Sequence, residues 1–579
     1  MTVTLAGRPA APGAAIAPAF VLEPAASMAD DVANERARPA ADEIERLRAA
    51  LDRAETELRD LARTVEMTVG EEEAEIFEAH AEFSADPELL RLASDAIERG
   101  ASAERGVVDA FGAFRGLLVA SESEYLAARA TDLDDVRDRV LRILLGRVTQ
   151  GDAPDEPSVI VAHELTPSQT ASIPVDVIAG IATETGSPTS HAAILARALA
   201  VPAVVSVPGL LAAVQGGVHV AIDGRTGAVV VDPGAGERHQ IERRAADESR
   251  RRDELAALRD RPGMTADGHR VELAANIGSI EHIPMALDAG SEGCGLVRTE
   301  FLFLDRATAP TVDEQTKFYA EVLRSFPGRR VVFRTLDVGA DKPLLFVERD
   351  VEENPALGLR GIRLSLRRPD LFRDQLRALL RARLDAGDDA ARLAIMFPLV
   401  ATAAELVTAR DTLRAIAEEE RLALDGVEVG VMIEVPSAAI GARRLAAHAD
   451  FLSIGTNDLI QYLFAVDRLN GGVADIGDVL EPDVLELIGS VIDAGHANGA
   501  WVGVCGEASS DPTTAAALVG LGIDELSMTR VAIPEVKDAL RRVTFDACAG
   551  GVRAAIAEAA DALESRRILE ERLGAFRGS

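Results

Sequence analysis

The sequence predicts a multidomain α/β protein: an α/β domain interrupted by an inserted helical bundle, then a linker helix, then a C-terminal (β/α)8 barrel. Three patterns predict it. Residues 34–146 are long, charged and helical in period, without glycine-rich turns. Short Val-rich runs with tight turns occupy 157–233, and a strand-like AFVLE (19–23) precedes the helices. From 271 onward, strand and helix candidates alternate. A length of 579 residues fits roughly two to four domains.

Taken in order, the boundaries are 1–33 with 147–233 for the α/β domain, 34–146 for the bundle, 234–262 for the linker and 263–579 for the barrel. The bundle opens with ERARPAADEIERLRAALDRAETELRDLARTVEMTV, whose apolar positions recur at helical spacing. After Pro157 the texture changes to strands, beginning with VIVAHEL (159–165). HVAIDGRTGAVVVDP (219–233) reads as a β-hairpin turning through Asp223–Gly227. The charged run 235–260 is a solvated linker helix. Eight barrel strands follow: VELAANI (271–277), GCGLVRT (293–299), RVVFRTL (330–336), LRGIRLS (359–365), LAIMFPL (393–399), EVGVMIE (428–434), DFLSIGT (450–456) and WVGVCGE (501–507).

Composition excludes several classes. Apolar residues make up 48%, too many for a disordered or fibrous chain. Lys plus Arg number 61 against 95 Asp plus Glu, a net charge of −34 that repels nucleic-acid backbones and anionic membranes. Three scattered cysteines, Cys294, Cys505 and Cys548, are too few for a disulfide framework and suit a reducing cytoplasm. The apolar stretch 9–22 is broken by prolines and a glycine, so it is not expected to be a signal peptide. The charge-free stretch 198–222 contains two prolines and three glycines between short Val-rich runs, which predicts buried strands and turns and no membrane span.

Two constellations carry chemistry. The segment TETGSPTSHAAILARAL places His191 at a helix start beside Thr189 and Ser190, where free backbone N–H groups favour a phosphoryl group and imidazole is a competent nucleophile. The second is a ring of polar residues at the predicted strand ends: Asn276, Arg298, Arg334, Arg360, Glu434, Asn457, Asp458 and Cys505. With Arg468, four arginines imply a substrate with several negative charges. Glu434 and Asp458 are hard oxygen donors suited to Mg²⁺, and Cys505 is a thiol placed to give up a proton.

The His191 segment resembles the phosphohistidine domain of PEP-utilising enzymes. Their PEP-binding barrel is resembled through RTEFLFLDR (298–306), RTLDVGADKP (334–343), ENPALGLRGIR (353–363), IMFPLV (395–400), VMIEVPSAA (431–439), DFLSIGTNDLIQYLFAVDR (450–468) and GVCGE (503–507). EEEAEIFEAHAEFSADPEL (71–89) and SEYLAARATDLDDVRDRVLRILLG (123–146) are similar to the carrier-binding domain of the enzyme I family of the bacterial sugar phosphotransferase system. The resemblance spans nearly the whole chain. It implies that PEP phosphorylates His191, that the phosphoryl group passes to a histidine of the carrier protein HPr, and that pyruvate leaves. It further implies that Cys505 is the proton donor, that Arg298, Arg334, Arg360, Asn457, Asp458 and Arg468 contact PEP, that Glu434 and Asp458 hold Mg²⁺, and that the barrel forms a homodimer. The bundle's acidic run with Glu71 and Glu72, beside Phe77 and Phe83, is the expected carrier-docking face. Ser187 and Glu82 depart from the family pattern, where Gly or Ala and an apolar residue are usual. An ATP-dependent dikinase or synthase of the same group would need a nucleotide-binding domain ahead of His191; here a helical bundle precedes it.

Overall fold

The computed structural model describes residues 2–22, 38–68, 71–119, 124–146, 156–165, 177–187, 201–304, 306–339, 354–467 and 476–574, with isolated positions between these ranges; within its helices the side chains of 64–68, 71–76, 117–119 and 124–132 lie outside the description. The chain divides into two compact units, Met1–Arg252 and Asp253–Ser579. The division falls inside one charged helix, Ala235–Ala256, the segment expected to link the domains.

The first unit holds an eight-stranded sheet in the order β1-β8-β7-β3-β4-β5-β6-β2. Its strands are β1 (Val3–Ala6), β2 (Arg8–Ala11), β3 (Ala14–Val21), β4 (Ser158–Ala162), β5 (Ile178–Thr183), β6 (Ala203–Val205), β7 (His219–Asp223) and β8 (Ala228–Val231). β3 pairs parallel with β4, although 136 residues separate Val21 from Ser158. The helices α1 (Ala40–Thr68), α2 (Glu71–Ala85), α3 (Pro87–Glu98), α4 (Ala103–Val119) and α5 (Glu124–Leu144) lie in that gap, so the bundle is an insertion into the sheet domain. They close on their own core, including Leu47, Leu58, Ile97, Phe111 and Val140. The buried Arg139 guanidinium meets Glu57 at 2.7 Å, the pairing a charge needs to be tolerated there.

The expected hairpin forms. Ala221 and Ile222 pair antiparallel with Val230 and Val229. The Asp223 side chain accepts hydrogen bonds from the N–H groups of Arg225 and Thr226 and so closes the turn. The charge-free stretch yields the buried strands β6 and β7, and no helix among the described residues is long and apolar enough to cross a membrane.

The second unit is a closed, all-parallel eight-stranded barrel of β9 (Glu272–Ile277), β10 (Cys294–Val297), β11 (Arg330–Arg334), β12 (Arg392–Phe397), β13 (Glu428–Ile433), β14 (Phe451–Ile454), β15 (Trp501–Val504) and β16 (Glu525–Met528). Its lumen is filled in layers. Leu296, Val332, Ala394, Met396, Met432 and Phe451 form the apolar middle. Below it, Trp501 stacks on Phe451 at 4.5 Å, and the Arg330 guanidinium lies 3.9 Å over the indole. Arg330 also reaches Glu272, Glu428 and Glu525 at 3.3–3.5 Å.

Two strand assignments change. Residues 359–365 form no strand: Ile362–Arg367 is a short helix, α6, entered through Gly361 at φ +57°. The alternation Ile362, Leu364, Leu366 imitates a strand, but the buried residues are Ile362, Leu364 and Ser365, a helical set. A Cβ at position 361 would approach Leu399 Cβ to 2.9 Å, so glycine is required twice over, by its backbone and by its neighbour. The eighth strand is instead β16, whose lumen carries Glu525 and Ser527 where an apolar pattern was expected.

Candidate active site

The C-terminal ends of the barrel strands bring most of the predicted ring together. Arg334 ends β11, Glu434 follows β13, Asn457 and Asp458 open α7 (Thr456–Phe464) after β14, and Cys505 follows β15. Arg298 follows β10, its N–H bonded to Ile277 O. Arg360 arrives by a different route from that expected. It lies in the turn before α6, between β11 and β12, rather than on a strand.

Carboxylates fix the arginines. Arg334 donates to Glu300 Oε1 at 2.8 Å and meets Asp337 Oδ2 at 3.0 Å. Arg360 bridges Asp337 at 3.0 Å and Asp458 at 3.1 Å, and donates to the Tyr462 hydroxyl at 3.3 Å. Burial alone would lower both guanidinium pKa values; the carboxylates outweigh it and raise them. Both therefore stay charged, aimed and partly desolvated, as forks for an oxyanion require. Sequence reasoning passed over Glu300 and Asp337, which hold these forks. Both were in view in the motifs RTEF and RTLD, but an acid that orients an arginine carries no spacing signature.

Glu434 is buried, and its Oε1 accepts the Leu399 N–H at 2.5 Å. Leu399 holds φ +54°, a conformation costing a branched residue of order 1–3 kcal/mol, so this backbone is bent toward the carboxylate against its own preference. Burial, then the charges of Asp458 and Asp337, push Glu434 up to about 8. Two neighbouring buried carboxylates are a donor set for a hard cation, which would relieve their repulsion. Among the described residues no group of three or more His, Cys, Asp or Glu could hold a metal, so such a cation would need substrate or water oxygens as well.

Cys505 is buried, its N–H bonded to Ile454 O at 3.1 Å. Burial pushes its thiol up to about 11, so it carries its proton at neutral pH. Asn276, inside β9, donates to Cys505 O at 3.2 Å and accepts from Ser527 Oγ at 2.6 Å, fixing the backbone that presents the thiol. The next residue is Gly506; a Cβ there would lie 1.7 Å from Thr456 Oγ1, so only glycine lets the strand end approach α7.

His191 and Arg468 lie outside the described residues, as do the side chains of Glu71 and Glu72. The docking face needs one correction. Phe77 is buried at 1% exposure, edge-on to His80, and Phe83 is half-buried against the bundle core, so neither leaves a free apolar ring. Phe77 lies on the packing side of α2.

Comparison with known proteins places these features. Residues 252–545 match the PEP-binding domain of PEP-utilising enzymes, residues 154–227 their mobile domain, and residues 6–129 their N-terminal domain. The chain is 46% identical over 493 residues to a phosphoenolpyruvate-protein phosphotransferase of Haloferax volcanii, covering 84% of this chain and 85% of that one. Against the protein of the same name from Streptomyces coelicolor it is 44% identical over 551 residues, 94% of both chains. For Staphylococcus carnosus the identity is 40% over 552 residues, 93% of this chain and 94% of the relative. The chain belongs to the phosphoenolpyruvate-protein phosphotransferase family, a family of phosphotransferase enzymes.

Proposed function

We propose that this enzyme takes the phosphoryl group of PEP onto His191, releases pyruvate, and passes the group to a histidine of HPr, the first step of sugar uptake by a phosphotransferase system. The observation that carries it is the convergence of half-buried, carboxylate-held arginines, an acidic pair and a protonated thiol at one barrel end. Arg298, Arg334, Arg360, Arg468 and Asn457 grip the phosphate and carboxylate oxygens of PEP. A His191 ring nitrogen attacks phosphorus; the bond from phosphorus to the enol oxygen breaks, and its electron pair stays on that oxygen as enolpyruvate. The arginines neutralise the charge that develops on the transferring group. Enolpyruvate then takes the Cys505 proton on its methylene carbon, becoming pyruvate and leaving a thiolate that solvent reprotonates. A basic histidine of HPr finally attacks the phosphohistidine, breaking its P–N bond and freeing His191.

Glu434 and Asp458 are the residues that would hold Mg²⁺, which when bound supplies charge neutralisation for the phosphate oxygens. Cytoplasmic action is supported by three free, buried cysteines. Homodimerisation through the barrel is what the family relationship suggests, and an interface at the catalytic end would cover the exposed Ile440 and Leu357. The test is pyruvate release from PEP and Mg²⁺ with and without HPr. One pyruvate per chain without HPr and continued turnover with it are expected; sustained multiple turnover without any acceptor protein would contradict the reading.

A further inference from the structure

At the opposite, N-terminal end of the barrel strands lies a cavity of about 730 Å³. Five arginines line it: Arg259, Arg261, Arg270, Arg329 and Arg392. Three acids share the lining: Glu292 and Glu272 are engaged by arginines, while Asp260 points into solvent. Glu292 binds Arg270 at 2.5 Å and accepts the N–H groups of Gly263 and Leu273. Glu272 faces Arg330 at 3.4 Å, and Asp260 faces Arg259 at 3.9 Å. Arg261 has no carboxylate partner among the described residues, and Arg329 donates only to Ser291 O at 2.6 Å. In a chain of net charge −34, these are two guanidinium groups facing one concavity without a carboxylate partner among the described residues.

The ground beneath is also cationic. Lys537, fully buried, spends its ammonium on two carbonyl oxygens of cavity-lining residues, Arg259 at 3.1 Å and Gly290 at 2.7 Å. Arg541 donates to Pro262 O at 3.0 Å. These two cations clamp the segment 259–262 onto the barrel base through carbonyl oxygens, adding positive charge beneath the arginine side of the cavity.

The geometry points to a binding site here for a small polyanion carrying two or more carboxylate or phosphate groups, with Arg261 and Arg329 as its principal ligands. Such an anion would join Arg261, on the segment that leads into the barrel, to Arg329, on the turn before β11, and so rigidify the barrel entry from the face opposite the chemistry. Two arginine forks can each contribute a charge-assisted hydrogen bond, and loss of both should weaken binding about tenfold or more.

Calorimetric titration of the full chain without Mg²⁺, with citrate in one arm and inorganic pyrophosphate in the other, tests this at low ionic strength. The variants are Arg261→Ala/Arg329→Ala for this cavity and Arg298→Ala for the catalytic end. Both Arg261 and Arg329 are exposed, so an unchanged melting temperature and unchanged PEP turnover verify that the double variant is folded. One saturable anion per chain, weakened at least tenfold in the double variant and kept in Arg298→Ala, is the expected result; the arm that binds tells phosphate from carboxylate chemistry. Binding that survives the double variant, that disappears only in Arg298→Ala, or that fails to saturate in both arms would overturn the proposal.

Discussion

Arg334 shows how much of the site a single residue carries. Its fork is held by Glu300 and Asp337 on one side, leaving a half-buried, aimed cation for substrate. Arg334→Lys keeps the charge and loses the planar fork, so kcat/KM for PEP should fall about 100-fold, a loss of about 3 kcal/mol. Steady-state kinetics checks this, with a near-normal KM and kcat showing that the fork is not used. Cys505 makes a separable claim. A thiol pushed up to about 11 by burial is a donor at neutral pH, and general acids contribute about 10²–10⁴-fold. Cys505→Ala should still transfer the phosphoryl group to the enzyme while pyruvate formation slows by that order. Equal slowing of both would mean the residue only packs. At this scale the sequence was informative about which residues gather at the C-terminal ends of the strands, because arginines and a thiol there break the apolar pattern. It was silent about Glu300, Asp337 and the bent Leu399 backbone, whose role exists only once β11, β12 and β13 lie side by side.

Among the elements, the barrel explains both successes and errors. Strands such as RVVFR and EVGVMI read clearly because their buried middles are apolar, as strands covered on both sides must be. β16 was missed because its lumen side chains are polar: Glu525 belongs to the ionic floor around Arg330, and Ser527 holds Asn276. The segment 359–365 was misread because Ile362 and Leu364, aliphatic and two apart, also belong to a helix. The ionic floor carries its own prediction. Burial, and then Glu272, push Glu525 up to about 8, so the folded protein keeps a proton that the unfolded chain has lost above the ordinary carboxylate range. Stability from this pair is complete below that range and falls as pH rises toward about 8. Glu525→Gln should flatten the decline, raising the melting temperature relative to wild type at pH 8 more than at pH 5. Parallel melting curves across that interval would show that the floor does not titrate there.

For the whole molecule, chain order mattered more than composition. The parallel pairing of β3 with β4 makes the helical bundle an insertion, legible in advance because strand-like texture lay on both sides of it. Of the expected carrier-docking face, Phe77 belongs to the interior, which leaves Glu71 and Glu72 to carry the expectation. If acidic steering brings HPr to the bundle, Glu71→Lys/Glu72→Lys should slow transfer to HPr about tenfold at low salt, less at high salt, and leave phosphorylation by PEP unchanged. Stopped-flow transfer rates at two ionic strengths check this; a loss confined to the PEP step would remove the bundle from carrier recognition.

The central claim is that one histidine carries the phosphoryl group between PEP and a protein acceptor. Intact-mass measurement of the full chain after incubation with PEP and Mg²⁺, beside His191→Ala treated identically, tests it most directly. The account predicts a single phosphoryl adduct, labile in acid and removed by HPr, in the native sequence and none in His191→Ala. An adduct that persists in His191→Ala, or pyruvate formed by that variant at the native rate, would contradict it.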